Sequence, residues 1–204
     1  ISYDSRTTAP GDVFVAMTGF ATDGHAYIGK AMAAGAAAVV CERVPEDAAI
    51  PYVQVADARQ ALAVMAANFY GHPADHMTMV AVTGTNGKTS TTYLLKAVLE
   101  QELGAKVGLI GTNQDMIGDE VIPTERTTPE SLELQELFAR MRDAGCTHVV
   151  MEASSHALFL KRVYGIRFAV GIFTNLTQDH LDFHKTMEAY CDAKAILFQN
   201  CEVG

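Results

Sequence analysis

Short apolar runs alternate with helical stretches over the first 75 residues of the chain. Apolar residues recur at helical spacing at Ala61, Leu62, Met65, Ala66 and Phe69, which predicts an amphipathic helix. A glycine–histidine–proline turn then closes the segment. The pattern predicts strands over residues 13–17, 37–41 and 52–55 and helices over residues 28–34 and 59–70. This alternation indicates a small α/β domain over residues 1–75.

A second series of alternating elements predicts another α/β domain over residues 76–204. Strands joined by helices of this length favour right-handed crossovers and a mostly parallel sheet. The predicted elements are strands over 77–83, 107–110, 147–151 and 168–174, a polar loop up to Thr128, and helices over 90–103, from Pro129, and over 184–200. Ligands bind beyond the carboxyl ends of strands in such sheets. Those ends carry residues 84–89, 152–156 and 175–180, so we expect their polar side chains to gather at one edge.

Composition narrows the partners and the compartment. The 204 residues include 15 Lys or Arg and 24 Asp or Glu, a net charge of −9, which argues against binding to nucleic acid or an anionic membrane. The longest apolar run covers residues 31–41, whereas a membrane span needs about 20 residues. The four cysteines form no CxxC pair, which is typical of reduced thiols. We expect a cytoplasmic monomer with neither nucleic-acid nor membrane partners.

A glycine-rich turn follows the predicted strand over residues 77–83 and opens the next helix. Its sequence over residues 83–89 is TGTNGKT, in the strand–turn–helix setting of a phosphate-binding loop. Glycines let backbone N–H groups curl around phosphate oxygens, and the helix N-terminus adds partial positive charge. Lys88 would reach the β- and γ-phosphates, and the Thr89 hydroxyl would coordinate Mg²⁺. The general pattern has glycine where this chain has Val82, and an ordinary glycine-rich turn is the alternative.

Acidic and histidine side chains follow the later strands. Glu152 ends an apolar strand, where an acid beside a phosphate-binding loop would hold a metal ion; an exposed glutamate is the alternative. His180 and His184 are four residues apart, a spacing that suits zinc. A third ligand of clear spacing and a nearby cysteine pair are both missing from this segment, so we place His184 at a helix start. Taken alone, Lys194 would be a solvated lysine on the last helix.

Several of these segments together resemble one enzyme family. The sequence TGTNGKTS over residues 83–90 is similar to the loop of the Mur ligases and of folylpolyglutamate synthetase. The segments DSR at residues 4–6, DGHAYI at 23–28 and MEASSHAL at 151–158 resemble the Mur ligases that act on UDP-N-acetylmuramoyl-L-alanyl-D-glutamate. Lys194 matches a lysine that the family carbamylates with CO₂. The resemblance covers essentially the whole chain, and it implies that the remainder of the ATPase domain and a C-terminal domain are missing.

The resemblance implies a role for each part of the chain. Residues 1–75 would hold the uridine end of the substrate, and residues 76–204 would form an incomplete P-loop ATPase domain. The implied ATP-binding residues are Gly84, Thr85, Asn86, Gly87, Lys88, Thr89, Ser90 and Asn175. Two Mg²⁺ ions would be held by Thr89, Glu152, His180 and carbamylated Lys194. The implied catalytic residues are Lys88, Glu152, His180 and Lys194.

On the substrate side, the resemblance assigns contacts with the UDP-MurNAc-dipeptide to Ser5, Thr127, Thr128, Ser154 and Arg162. A simple turn at DSR, and helix capping by the two threonines, are the alternatives. Leu160 departs from the glutamine that some members use for substrate.

The implied reaction is ATP-dependent amide-bond formation through an acyl phosphate. A diamino acid, meso-diaminopimelate rather than L-lysine in our interpretation, would be joined to UDP-MurNAc-L-Ala-D-Glu. A folylpolyglutamate or poly-amino-acid ligase is one alternative. A module that binds nucleotide or UDP-sugar without turnover is the other. The chain begins without methionine and stops after a helical run, which favours a piece of a longer protein.

Overall fold

The computed structural model describes residues 1–19, 22–47, 49–124, 126–199 and 201–203, with the backbone alone at residues 202 and 203. It divides into two compact units, Ile1–Ala66 and Ala67–Gly204. The functional domains over residues 1–75 and 76–204 stay a prediction. In the described part of the chain, no helix is long and apolar enough to cross a membrane.

The first unit is built on a three-stranded parallel sheet with strand order β1-β2-β3. Its strands are β1 (Val13–Ala16), β2 (Ala38–Cys41) and β3 (Tyr52–Gln54), and its helices are α1 (Ile28–Ala33) and the start of α2 (Ala58–Phe69), with a 3₁₀ turn at Gly24–Tyr27. Ile28 and Ala31 of α1 pack on Phe14 and Val39 of the sheet. The predicted alternation of strands and helices is therefore confirmed, with ends that move by one residue.

The second unit contains a seven-stranded sheet with strand order β10-β9-β4-β8-β5-β6-β7. The strands are β4 (Thr78–Thr83), β5 (Val107–Ile110), β6 (Asp115–Ile117), β7 (Glu120–Ile122), β8 (His148–Glu152), β9 (Phe168–Phe173) and β10 (Cys201–Val203). The helices are α3 (Lys88–Leu103), α4 (Ser131–Asp143), α5 (Ser155–Phe159), α6 (Leu181–His184) and α7 (Met187–Gln199), with a 3₁₀ turn at Pro73–His76. Every pairing from β10 to β5 is parallel, which confirms the predicted mostly parallel sheet.

An apolar core fixes α4 against this sheet. Leu134, Leu137, Phe138 and Met141 recur at helical spacing and are buried in one cluster with strand residues such as Met151. The carboxylate of Glu130 accepts the Ser131 N–H and caps the helix start. The prediction that the helix starts at Pro129 is therefore wrong by two residues, because Glu130 is the cap.

The predicted polar loop up to Thr128 contains a β-hairpin. β6 and β7 pair antiparallel, and β6 also pairs antiparallel with β5. Gly118 has a φ of +60° at the hairpin turn, a conformation that glycine adopts without steric cost. The strands have three residues each, too few for a clear alternation of apolar and polar positions.

The single helix predicted over residues 184–200 is two helices. Lys185 has a φ of +70°, which breaks the helical backbone after His184. The Thr186 hydroxyl accepts the Ala189 N–H, so α7 starts as a new helix. His184 therefore ends α6 instead of starting a helix, and residue 200 lies outside the described residues.

Candidate functional site

The strand ends predicted to carry the site lie side by side. β9, β4 and β8 are neighbours in the sheet and run parallel. The register aligns Val82 with Glu152 and Thr83 with Phe173. The segments that follow the three strands therefore meet at one edge, as the sequence predicted.

The glycine-rich loop has the backbone that its sequence requires. Gly87 has a φ of +84° and precedes the first residue of α3. Gly84 has a φ of +140°, and a Cβ placed there would clash with the Thr174 hydroxyl. The Thr174 hydroxyl also donates to the Asn86 carbonyl at 2.7 Å. The absence of a side chain at Gly84 therefore lets Thr174 reach the loop and bond to it. Helix α3 begins at Lys88, two residues before the predicted start.

Asn175 holds the phosphate-binding loop by hydrogen bonds to the loop's backbone. Its Oδ1 accepts the Asn86 N–H and its Nδ2 donates to the Asn86 carbonyl, both at 3.0 Å. The Asn175 carbonyl accepts the Thr85 N–H at 2.9 Å. Asn175 was assigned to ATP, yet its side-chain amide is here bonded to the loop itself. Ser90 lies exposed in the first turn of α3.

Two lysines converge on the loop. Lys88 Nζ donates to the carbonyls of Gly84 and Thr85, at 2.9 and 2.8 Å. Lys194 Nζ donates to the same Gly84 carbonyl at 2.9 Å. Lys194 is only 2% exposed, so the structure contradicts a solvated lysine. No ion pair joins either ammonium to a carboxylate among the residues that the structure describes.

Burial changes the acidity of both ammonium groups. Burial lowers the pKa of Lys88, although Glu152 and Asp179 act in the opposite direction. Burial, together with the positive charge of Lys88, lowers the pKa of Lys194 to about 8. A buried ammonium is disfavoured because it loses water, and a like charge nearby disfavours it further.

Glu152 is held in place by neutral hydrogen-bond donors. The side chain is 1% exposed, and its Oε1 accepts the Thr89 hydroxyl and the Thr112 N–H, both at 2.9 Å. Its Oε2 accepts the Thr112 hydroxyl at 3.1 Å. A Cβ at Gly111 would lie 2.6 Å from Oε1. The backbone before Thr112 therefore passes so close to the Glu152 carboxylate that a side chain would clash. Thr89 and Glu152, the two residues expected to hold Mg²⁺, are therefore in direct contact, and the exposed-glutamate alternative is wrong.

The residues expected on the substrate side form a second group beside Glu152. Thr128 donates its hydroxyl to the Glu152 carbonyl at 2.8 Å and accepts the Ser154 N–H at 3.3 Å. Arg162 donates to the Thr128 carbonyl at 3.0 Å and to Glu130 Oε2 at 3.2 Å. Leu160 forms the C-cap of α5.

The remaining threonine of this group, Thr127, bonds to Thr112 at 3.0 Å. Because the Thr112 hydroxyl donates to Glu152, Thr127 is the donor. Neither Thr127 nor Thr128 caps α4, so the capping alternative is wrong.

His180 lies in an aromatic cluster. The side chain is exposed, and its ring centroid is 4.9 Å from that of His156 and 6.0 Å from that of Tyr190. His184 is buried, and its Nε2 lies 3.0 Å from the Ser155 hydroxyl. Burial lowers the pKa of both His156 and His184. Among the residues that the structure describes, no group of three or more His, Cys, Asp or Glu is placed to hold a metal ion.

Ser5 lies in the first unit, buried within a turn. The Asp4 carbonyl accepts the Thr7 N–H at 3.0 Å, and Arg6 pairs with the Asp4 carboxylate. The Arg6 guanidinium lowers the pKa of Asp4 to about 2. The DSR segment thus forms the turn of the alternative interpretation, which leaves its substrate role untested.

Three residues at the sheet edge escaped the sequence analysis: Thr112, Thr174 and Tyr190. Each had an available signal. Thr112 and Thr174 come within two residues of a strand end, and Tyr190 lies one helical turn before Lys194. Hydroxyls directly after parallel strands deserve the same weight as acids and histidines at those positions.

These features define a P-loop ATPase-like α/β fold whose edge combines a phosphate-binding loop, two buried lysines and a buried carboxylate. The model of the Mur ligase middle domain matches residues 82–204. The model described as Mur ligase family, catalytic domain, matches residues 1–70. The chain belongs to the Mur ligase family, and the resemblance seen in its motifs is confirmed.

Two curated relatives show the extent of the similarity. The UDP-N-acetylmuramoyl-L-alanyl-D-glutamate–2,6-diaminopimelate ligase of Clostridium botulinum is 52% identical over 206 residues, covering 99% of this chain and 42% of the relative. The enzyme of the same name from Caldanaerobacter subterraneus is 54% identical over 200 residues, covering 98% and 41%. The chain thus spans less than half the length of these relatives.

Solved structures agree with this placement. A 2,6-diaminopimelate ligase of the same name superimposes with a TM-score of 0.83 at 31% identity, covering 97% of this chain and 40% of that one. MurF of Thermotoga maritima in complex with ADP gives 0.60 at 25% identity, covering 98% and 42%. A folylpolyglutamate synthase of Mycobacterium tuberculosis gives 0.55 at 18% identity over 68% of this chain and 38% of that one, which shows a shared fold.

Proposed function

We propose that this chain carries the ATP and UDP-substrate sites of an ATP-dependent amide ligase. The ligase adds meso-diaminopimelate to UDP-MurNAc-L-Ala-D-Glu during peptidoglycan precursor synthesis. The observation that carries the proposal is the convergence of Lys88, Lys194 and Glu152 on one phosphate-binding loop. Relatives bearing the diaminopimelate ligase name, at 52–54% identity along nearly the whole chain, support the choice of substrate. The protein works as a monomer in the cytoplasm, where ATP and UDP-linked precursors occur.

In the first step, the γ-phosphoryl group of ATP passes to the D-glutamyl γ-carboxylate and gives an acyl phosphate. The amine of the diamino acid then attacks this acyl carbon, and phosphate leaves. The loop N–H groups after Gly84 bind the phosphates. Ser90, in the first turn of α3, also contacts the nucleotide. Lys88 exchanges its two carbonyl acceptors for phosphate oxygens, which form stronger charge-assisted bonds. Catalysis of this step is mainly positioning and charge neutralisation.

The donor set beside the loop fits Mg²⁺. Thr89 and Glu152 supply a hydroxyl and a carboxylate that already touch, and Mg²⁺ prefers few protein oxygens with phosphate oxygens and water. His180 and a carbamate on Lys194 would hold a second ion. Bound Mg²⁺ neutralises charge that develops on the phosphates.

The surroundings of Lys194 fit a carbamate. CO₂ adds only to the neutral amine, and the lowered pKa of Lys194, about 8, increases that fraction at neutral pH. The new group would turn a cation into an anion next to Lys88. This replaces a repulsion between two buried ammonium groups with an attraction.

Each unit is assigned its own part of the substrate. Ser5 contacts the uridine end, and Thr127, Thr128 and Ser154 contact the sugar–peptide portion. Arg162 is bonded to Glu130 and to the Thr128 carbonyl, which fixes its guanidinium beside the threonines. It would pair with a carboxylate of the substrate.

Replacing Lys88 in the full-length protein tests the proposal. Lys88→Ala removes the cation nearest the developing charge, so we expect kcat for phosphate release to fall about a thousandfold. Lys106→Ala is the matched control, because Lys106 lies exposed just before β5, at the other end of the strands. Phosphate release is measured with UDP-MurNAc-L-Ala-D-Glu, ATP and either meso-diaminopimelate or L-lysine. Near-normal turnover of Lys88→Ala would refute the proposal, and faster turnover with L-lysine would overturn the acceptor.

A further inference from the structure

A buried tyrosine connects the two parts of the site that the proposed reaction needs together. Tyr190 is 1% exposed and lies on α7, one helical turn before Lys194. Side chains four residues apart lie on the same helix face. Its ring contacts one element of the site and its hydroxyl contacts another, so the two ends of one side chain can be tested separately.

The ring lies against the Lys194 ammonium. Lys194 Nζ is 4.3 Å from the Tyr190 ring centroid, within the range of a cation–π interaction. The same nitrogen donates to the Gly84 carbonyl at 2.9 Å. In the unmodified side chain, the ring face and the Gly84 carbonyl both contact this nitrogen, and the charge of Asp179 stabilises it at longer range. Losing the ring face would leave the four-carbon side chain free to take other rotamers.

The hydroxyl of Tyr190 is bonded to the phosphate-binding loop. Its oxygen lies 3.2 Å from Thr85 Oγ1. Thr85 Oγ1 already donates to the Thr177 carbonyl at 3.1 Å and accepts the Thr177 N–H at 3.0 Å. A hydroxyl has one hydrogen and two acceptor lone pairs, so Tyr190 must be the donor in this bond. The tyrosine therefore completes the hydrogen bonding of Thr85.

We propose that Tyr190 is a positioning residue that fixes the Lys194 nitrogen and the Thr85 turn of the loop relative to each other. The ring sets where the Lys194 head group lies beside Gly84, and the hydroxyl sets the shape of the loop that binds ATP. The two effects are separable. Its catalytic consequence rests on the proposed ligase reaction, whereas the contact itself does not.

Two variants of the full-length protein separate the ring from the hydroxyl. Tyr190→Phe keeps the ring and loses the bond to Thr85, so we expect the KM for ATP to rise about threefold with kcat within about twofold of the wild type. Tyr190→Leu also loses the ring face that places the Lys194 nitrogen, on which the proposed carbamate would form, so we expect kcat to fall about tenfold. The matched control is Tyr164→Leu, which removes an exposed ring 5.8 Å from Lys161 Nζ. Because Tyr190→Phe keeps the packed ring, a rise in its KM for ATP reports the bond to Thr85 and not packing.

A spectroscopic measurement tests the contact without turnover. Protons above an aromatic face are shifted upfield, so the ε-methylene protons of unmodified Lys194 should resonate upfield in CO₂-free protein labelled with [ε-¹³C]lysine. Lys194→Met assigns the signal by its disappearance. The signal should stay upfield in Tyr190→Phe and move to the ordinary lysine position in Tyr190→Leu.

The outcomes separate this proposal from the proposed function. An ordinary Lys194 signal in the wild type, an unmoved signal in Tyr190→Leu, or equal losses of kcat in both variants would overturn the role of Tyr190. A wild-type protein without ligase turnover would instead overturn the proposed function. In that case the position of the Lys194 signal still decides whether Tyr190 holds the lysine.

Discussion

The two sides of the loop treat charge in opposite ways. On one side, the acidic corner (Thr89, Thr112 and Glu152), a single carboxylate accepts three hydrogen bonds from neutral donors. On the other side, the basic corner (Lys88, Lys194 and the Gly84 carbonyl), two ammonium groups share one carbonyl.

The difference shows which interactions the chain completes by itself. Buried charges need hydrogen bonds or opposite charges, and the acidic corner has its hydrogen bonds within the chain. The basic corner has an excess of positive charge that nucleotide phosphates would neutralise. The acidic corner is therefore preorganised, whereas the basic corner gains most from a bound anion.

After the loss of Lys88, the largest expected effect comes from breaking the acidic corner. Glu152→Gln keeps the size of the side chain and removes its charge, and the new amide nitrogen cannot accept from Thr112 or Thr89. We expect kcat to fall about a hundredfold. We also expect the Mg²⁺ concentration needed for half-maximal activity to rise, because a neutral amide is a poorer ligand for a hard cation.

Magnesium titrations of steady-state phosphate release measure both effects in the full-length protein. Glu102→Gln, at an exposed position near the end of α3, is the control for loss of one negative charge. A Glu152→Gln enzyme with the Mg²⁺ dependence of this control would exclude Glu152 from the metal site.

The sequence predicts the two corners to different degrees. Lys88, Thr89 and Glu152 are found from the strand–turn–helix setting and the strand ends, because parallel strands bring those ends together. The hydroxyl donors to Glu152 are harder to predict, because Thr112 depends on a sharp turn at Gly111.

Lys194 shows the limit of sequence reasoning on the basic side. Its helix has polar and apolar residues on most faces, so periodicity does not show that the lysine is buried, and only the family resemblance singled it out. The packing of α7 on the sheet edge places it against Gly84. Tyr190 was missed for the same reason, since a tyrosine in a helix usually indicates core packing alone.

The next largest effect is expected at Asn175, which holds the phosphate-binding loop between the two corners. Asn175→Asp keeps an acceptor for the Asn86 N–H but replaces the donor to the Asn86 carbonyl with a carboxylate oxygen. The two oxygens then repel each other, so we expect the KM for ATP to rise about tenfold. Asn175→Ala should raise it less, since no repulsion is added.

Hydrogen exchange of the Asn86 amide in the nucleotide-free protein shows where this loss arises. A loop that Asn175 holds should exchange faster in both variants before any ATP is added. Unchanged exchange combined with weaker ATP binding would indicate instead that Asn175 contacts the nucleotide directly.

The smallest expected effect on turnover comes from the residue behind the acidic corner. Asp115 is 4% exposed and accepts the Gly111 N–H at 3.2 Å, so it supports the turn that delivers Thr112 to Glu152. Burial raises the pKa of its carboxyl to about 6. A folded-state pKa above the unfolded value means that the protonated form favours folding. This stability is full below pH of about 4 and is lost as the pH rises through about 6.

Asp115→Asn keeps an oxygen acceptor for Gly111 without the charge, so we expect the variant to gain about 3 kcal/mol over the wild type at pH 8 and well under about 1 kcal/mol at pH 4. Urea unfolding of both proteins at several pH values measures the difference, in which titration of the histidines cancels. Asp119→Asn, exposed in the turn of the same hairpin, should show no such pH dependence. With the turn intact, kcat at saturating ATP should stay within about twofold. A stability difference independent of pH would mean that Asp115 is ionised throughout, and that the acidic corner rests on a second buried charge instead of a neutral acid.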